Sequence, residues 1–145
     1  NSHNTDETAH DDIRQSINSL DANGNLKVYK TLIGEPYNQT TKTTVNCGFK
    51  PKLIIIQANI LYTVYESTAY ITQDGTAHYI YTSKKATGNI RALSAGNAVY
   101  FENESTANRV FATIVITETG FELTWTVQGN METTEQRRMI VVAQA

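Results

Sequence analysis

The chain has 145 residues, a formal net charge of −2 and a pI near 5.9, a length that suits one domain able to remove roughly two-thirds of its unfolded surface from water. That balance supplies no basic field for a phosphate backbone, since Lys84-Lys85 and Arg137-Arg138 are only short basic pairs, so nucleic acid is not an expected partner. Apolar runs such as Leu53 to Ile56 are far too short to span a bilayer, so no membrane insertion is expected, and the single Cys47 rules out an intrachain disulfide.

The first predicted element is a helix. Asn4 followed by Glu7 fits a capping box, and Asp21-Ala22-Asn23-Gly24 supplies a stop, which predicts a helix from Thr5 to Leu20. Its apolar seam is Ile13, Ile17 and Leu20, spaced four then three as in a heptad, with His10 at the preceding a position; one heptad further back lies His3, just outside the cap. So narrow a stripe on so short a helix is marginal alone. Packing on the rest of the chain is one solution, but a strict a/d stripe with Ile in both layers points to a parallel three-stranded neck over residues 1–24. On its axis, three His10 imidazoles form a polar layer that fixes register and strand number, an ion site being the alternative. The polar opening Asn-Ser-His-Asn without an initiating Met is expected of a fragment of a longer chain.

After Gly24 the period changes to two. "KTTVNCGF" alternates, and "PKLIIIQANI" is a continuous apolar strand with Pro51 placed where a strand can begin. "AYITQDGTAHYIY" reads as a hairpin on a two-residue Asp74-Gly75 turn. "KKATGNIRALSAGNAV" is loop-rich and "FENESTANR", Phe101 to Arg109, is read as a loop. "VFATIVITETGFELTWTV" is a second hairpin, with Gly120 in the left-handed position, and "RRMIVVAQA" is a final strand. Short strands with regular turns predict a mainly β, antiparallel β-sandwich or barrel head over residues 25–145.

These residues resemble a known family. His3-Asn4-Thr5, Ala9-His10, Asp12-Ile13-Arg14 and Ile17 resemble a segment of tail-fibre and receptor-binding proteins of bacteriophages and contractile bacteriocins. "CGFKPKLIII" and "GFELTW", with a terminal apolar strand, look like the β tip of phages that infect Gram-positive hosts. The resemblance implies a homotrimer carried on upstream tail-fibre or baseplate proteins in the virion, binding a host surface glycopolymer such as a wall teichoic acid or polysaccharide. It also implies that axial histidines can hold iron through a His-x-His spacing, which this sequence lacks; no metal or cofactor is expected.

With a two-residue turn, Tyr70 pairs with Tyr79 and Thr68 with Tyr81, which places Tyr70, Tyr79 and Tyr81 on one face and Ile71, His78 and Ile80 on the other, core face. Three tyrosines side by side suit stacking on a sugar's C–H face, or burial between subunits. Tyr62 and Tyr65 fall on opposite faces of one strand, so Tyr62 is the one available to join that platform, and Glu102 and Arg109 add charge for a hydroxyl-rich or cationic ligand. Trp125, with Phe121, Leu123 and Val127 at period two, belongs to the core, as does Cys47, and His78 is read as core or inter-subunit.

A glycan depolymerase is the rival reading. Hydrolysis needs two carboxylates about 5 to 9.5 Å apart, and Glu66, Asp74, Glu102, Glu104, Glu118, Glu122 and Glu132 fall mostly in turns or at outward strand positions, with no two joined by a motif. No nucleophile elbow, phosphate-cradling glycine loop or zinc motif is present, so the expectation is a binding protein, not an enzyme. A purely structural fibre segment is the third reading.

Overall fold

The structure is a computed structural model that describes residues 7–35, 42–131 and 137–145. Asn4 and His3, with the beginning of the family-like segment, lie outside the described residues, as does Glu132.

An amphipathic helix, α1, spans Glu7–Asn18. Beyond it the chain makes a small turn rather than a simple helix cap. Oδ1 of Asp21 accepts from the backbone N–H groups of Asn23 and Asn25, Gly24 takes φ +78°, and Leu20 meets Leu26 in an antiparallel bridge.

Among the described residues ten strands follow: β1 Val28–Glu35, β2 Lys42–Asn46, β3 Leu53–Ile60, β4 Glu66–Thr72, β5 Ala77–Lys85, β6 Gly88–Ala95, β7 Val99–Asn103, β8 Ser105–Thr117, β9 Gly120–Gln128 and β10 Arg137–Gln144. They form one sheet in the order β1-β10-β3-β4-β5-β7-β8-β9-β2, with β6 on the outer edge of β5. The fold is therefore mainly β, a single sheet curled into a half-barrel. The pairing is antiparallel except between β5 and β7, which run parallel. That pair marks a corner. β4 occupies one edge of β5 as far as Tyr81, and β7 takes over that edge at Ser83 and Lys84, while β6 pairs along the opposite edge.

Curling brings one face of each strand into a common core. Ile54, Ile56, Ile60, Ile71, Val99, Phe101, Val110, Phe121, Leu123, Met139 and Val141 are all buried there, and the alternation along β2, β3, β4 and β10 follows directly from the two-residue side-chain period. Trp125 belongs to this core, as its spacing predicts; its Nε1 donates to Oγ1 of Thr43 at 2.9 Å, and the guanidinium of buried Arg137 lies 4.1 Å from its ring centroid.

Several sequence expectations change. The segment from Lys84 is not loop-rich: β6 pairs with β5 from Gly88 to Ala95, but almost every β6 residue is exposed, so no alternation betrays it. Phe101 to Arg109 is not a loop either; it is the end of β7 and the start of β8, joined at Glu104 with φ +63°. Gly120 is absent from the positive-φ residues, and what it provides is space, because a Cβ there would collide with the Val45 carbonyl of β2.

Candidate functional site

The Asp74-Gly75 turn decides which tyrosines meet. Gly75 N–H donates to the Thr72 carbonyl at 2.9 Å, Gly75 has φ +83°, and Thr72 pairs with Thr76, so the loop holds three residues, Gln73-Asp74-Gly75. This is a type I turn closed by a left-handed glycine. Asp74 is fully used in it, with Oδ1 accepting from Thr72 Oγ1 and Thr76 N–H. The extra loop residue slips the register by one relative to the two-residue expectation, pairing Tyr70 with His78, Ala69 with Tyr79 and Ser67 with Tyr81. A one-residue slip exchanges faces. Tyr79 and Tyr81 therefore turn inward with Ala69 and Ile71, whereas Tyr70 is 52% exposed and shares the outward face with His78 and Ile80. His78 is exposed, not a core residue. Tyr62 is not in a strand: it sits in the β3–β4 turn at φ +61°, 91% exposed, and joins no platform with the others, while Tyr65 is buried.

Tyr79 and Tyr81 are met by Tyr100 of β7. The Tyr81 and Tyr100 rings stand edge to face with centroids 4.6 Å apart, and Tyr79 lies 5.4 Å from Tyr100 and 5.6 Å from Tyr81. Tyr100 and Glu102 alternate with Val99 and Phe101 on β7, whose two faces are both covered, so that Tyr100 joins the core and Glu102 is only 5% exposed.

That buried carboxylate is fully engaged. Tyr100 Oη donates to Oε2 at 2.9 Å, Lys85 Nζ donates to Oε1 at 2.7 Å, and Ser83 Oγ donates to Oε1 at 3.2 Å. The bend at Glu104 places the lysine: Glu104 N–H donates to the Lys84 carbonyl, and the Glu104 carbonyl accepts from Lys85 Nζ at 2.9 Å. Burial by itself raises a carboxyl pKa, but the bonds from Lys85, Tyr100 and Ser83 outweigh it and hold Glu102 below the usual carboxylate range. The Tyr100 phenol is pushed up to about 12 by burial and by its bond to Glu102, with Arg109 pulling the other way. Tyr81 is raised by burial and by the nearby Glu102 charge.

Cross-strand register extends this cluster onto an outward ledge. Glu102 faces Arg109, which faces Gln128; in the adjacent row Tyr100 faces Phe111, which faces Thr126. Arg109 Nε donates to Gln128 Oε1, and the Arg109 guanidinium lies over the Phe111 ring, 4.7 Å from its centroid. Tyr81, Phe111, Arg109 and Lys85 are each half-buried. The ledge thus offers apolar ring surface beside two fixed cationic donors.

Of the predicted residues, Tyr79, Tyr81, Glu102 and Arg109 come together here; Tyr70 and Tyr62 do not. Tyr100, Phe111 and Lys85 were missed. The period-two spacing of Tyr100 with Glu102, and of Arg109 with Phe111, was the available signal.

Elsewhere, an open groove of about 380 Å³ lies on the outward face of β1, β10, β3 and β4, lined by Leu32, Gln57, Asn59, Glu66, Thr68, Arg138 and Ile140 among others. His10, Ile13, Ile17 and Leu20, the residues expected to line a neck, are exposed in the single chain. Among the described residues, no group of three or more His, Cys, Asp or Glu side chains is arranged to hold a metal ion, and no helix is long and apolar enough to cross a membrane. Comparisons with family models, curated proteins and solved structures found no match for this chain.

Proposed function

We propose that this chain is a receptor-binding tip: a homotrimer held by a helical neck over residues 1–24, whose β head over residues 25–145 attaches a phage or bacteriocin tail to a bacterial surface glycopolymer without cleaving it. The observation that carries the reading is the ledge. Half-buried Tyr81 and Phe111 provide ring edges and faces for sugar C–H groups, and Arg109, Lys85 and Gln128 provide hydrogen bonds to hydroxyl or anionic substituents. The ligand class is a polyol or anionic glycopolymer, such as wall teichoic acid or polysaccharide. The particle context, with upstream fibre or baseplate proteins and action outside the host cell, rests on the sequence resemblance. The narrow exposed seam of Ile13, Ile17 and Leu20 supports the neck.

Binding without hydrolysis is favoured by the state of Glu102. A general acid must hold a proton near neutral pH, and Glu102 is kept ionised by Lys85 and Tyr100. The test uses fluorescently labelled protein on intact Gram-positive cells, with purified wall glycopolymer as competitor and an assay for new reducing ends. Saturable binding abolished by the polymer, with no reducing ends released, is the expected result. Sustained release of reducing ends would establish the depolymerase reading. Absence of binding to every wall preparation would leave the structural-segment reading in its place.

A further inference from the structure

Among the described residues, six of the head's exposed large hydrophobics, Val28, Leu32, Tyr70, Ile80, Leu93 and Ile140, share one face, while Tyr62 and Val64 sit in the β3–β4 turn and Ile90 on the other face of β6. Pairing register places Leu32, Ile140, Gln57, Thr68, Ile80 and Leu93 in one continuous row across β1, β10, β3, β4, β5 and β6, all on the outward face. Four of those six are large aliphatics standing in solvent, with Leu32 68% and Leu93 74% exposed. The next row on the same face carries Val142, Ile55 and Tyr70, and exposed Val28 lies beyond it on β1. On the opposite wall, β8, β9 and β2, Val115 is the single exposed large hydrophobic among the described residues.

We infer that this outward face of β1, β10, β3, β4, β5 and β6 is the surface on which copies of the chain associate, and that the groove within it is closed by a neighbouring copy. The inference rests on the oligomeric part of the proposal above. Four observations name a second copy as the occupant. The chain leads from the seam into the face: Ile13, Ile17 and Leu20 are exposed, Leu20 bridges to exposed Leu26, and Val28 and Leu32 follow on β1, each exposed. Among the described residues the face ends at β1 and β6, each paired along one edge, and eight-residue edges of this kind call for cover.

The rim is mixed in sign, with Arg138, Glu66 and Arg91 flanking the row, so that an acid on one side of a copy's face can meet a base on the other side of its neighbour's around a three-fold axis; the Arg91–Glu66 pair, at 3.8 Å and well exposed, is loose enough to exchange partners. Finally, the size is right. Six strands about 4.8 Å apart and four side-chain rows about 7 Å apart give a footprint of roughly 500 Å², polar Gln57, Thr68, Lys30 and His78 included, which with the neck seam added approaches the roughly 800 Å² per partner of a specific interface.

The test measures mass by light scattering for the wild-type chain, Leu32→Glu/Leu93→Glu, Val115→Glu and Ile13→Asp/Ile17→Asp. Because Leu32, Leu93 and Val115 (64% exposed) all lie mostly in solvent in the single chain, a glutamate at each is compatible with the head fold, which circular dichroism verifies. The expected result is a trimer for wild type and Val115→Glu, and at least a tenfold rise in the concentration at which Leu32→Glu/Leu93→Glu dissociates. A trimer that Leu32→Glu/Leu93→Glu leaves unchanged but the neck variant dissociates overturns the face while keeping the oligomer. A wild-type monomer overturns both. Hydroxyl-radical labelling of the unmodified protein decides the matter even where the double variant misfolds: Leu32 and Leu93 become protected on assembly while Val115 does not, and equal labelling of all three at every concentration overturns the inference.

Discussion

The hydroxyl of Tyr100 donates to Oε2 of Glu102, two residues along the same face of β7, at 2.9 Å, and this bond joins the aromatic and charged halves of the candidate site. Glu102 is at once the anchor of Lys85 and the acceptor that orients Tyr100 against Tyr81. Replacing Glu102 by Ala strands a buried phenol and removes the partner of a part-exposed ammonium. Breaking one side of a buried, charged network typically costs 3–5 kcal/mol, discounted here to about 2–3 kcal/mol because Lys85 can turn to water. Urea unfolding of Glu102→Ala and Glu102→Gln measures this, and the Gln variant, which still accepts a hydrogen bond, loses less.

The same pair gives the head a pH window. Glu102 has a folded pKa below its unfolded value of about 4.3, so its contribution is fully present above that value and is lost as pH falls through the lower folded pKa. Tyr100 has a folded pKa of about 12, above its unfolded value, so its contribution is present below pH 10 and disappears as pH rises towards 12. Unfolding free energy therefore falls below about pH 4 and again above about pH 10. Tyr100→Phe reduces the alkaline fall and leaves the parts due to Tyr81 and to the Cys47 thiol, which burial pushes up to about 11, as thermal melts across the range will show.

Thr43 gives β2 its single buried side-chain hydrogen bond to the core among the described residues, accepting from Trp125 Nε1. Thr43→Val keeps the shape and removes the acceptor, which leaves a buried indole N–H unpaired at a cost of about 1–3 kcal/mol. Hydrogen exchange should show β2 and β9 losing protection together, while β3 and β10 keep theirs.

Much of the sheet was legible because its core strands alternate or run apolar. The Ile/Val segments of β3 and β10, the β8–β9 hairpin and the burial of Trp125 all follow from the two-residue period. The Asp74-Gly75 turn was legible in place but not in length: both a two-residue turn and a three-residue turn ending in a left-handed Gly accept that dipeptide. One residue of loop then moved Tyr79 and Tyr81 from an outward platform to the face they share with Tyr100, where Tyr79 is buried and Tyr81 half-buried, and left Tyr70 outside. β6 was illegible because neither of its faces is buried, so it carries no periodic signal. β7 was obscured for the opposite reason, being covered on both faces. The β5–β7 parallel pair is a long-range consequence of the curl and has no local sequence mark.

The most direct test of glycopolymer binding at the ledge is calorimetric titration of purified wall teichoic acid and wall polysaccharide into the wild-type chain, Tyr81→Ala, Arg109→Ala and Tyr70→Ala. Tyr81 and Arg109 lie on the ledge and Tyr70 on the opposite, outward face, so the variants separate the two surfaces. The expected result is measurable wild-type affinity that falls at least tenfold in Tyr81→Ala and Arg109→Ala, a loss of about 1.4 kcal/mol or more, and is unchanged in Tyr70→Ala. Affinity that survives both ledge substitutions and is lost in Tyr70→Ala would contradict it and move the receptor site to the other face of the head.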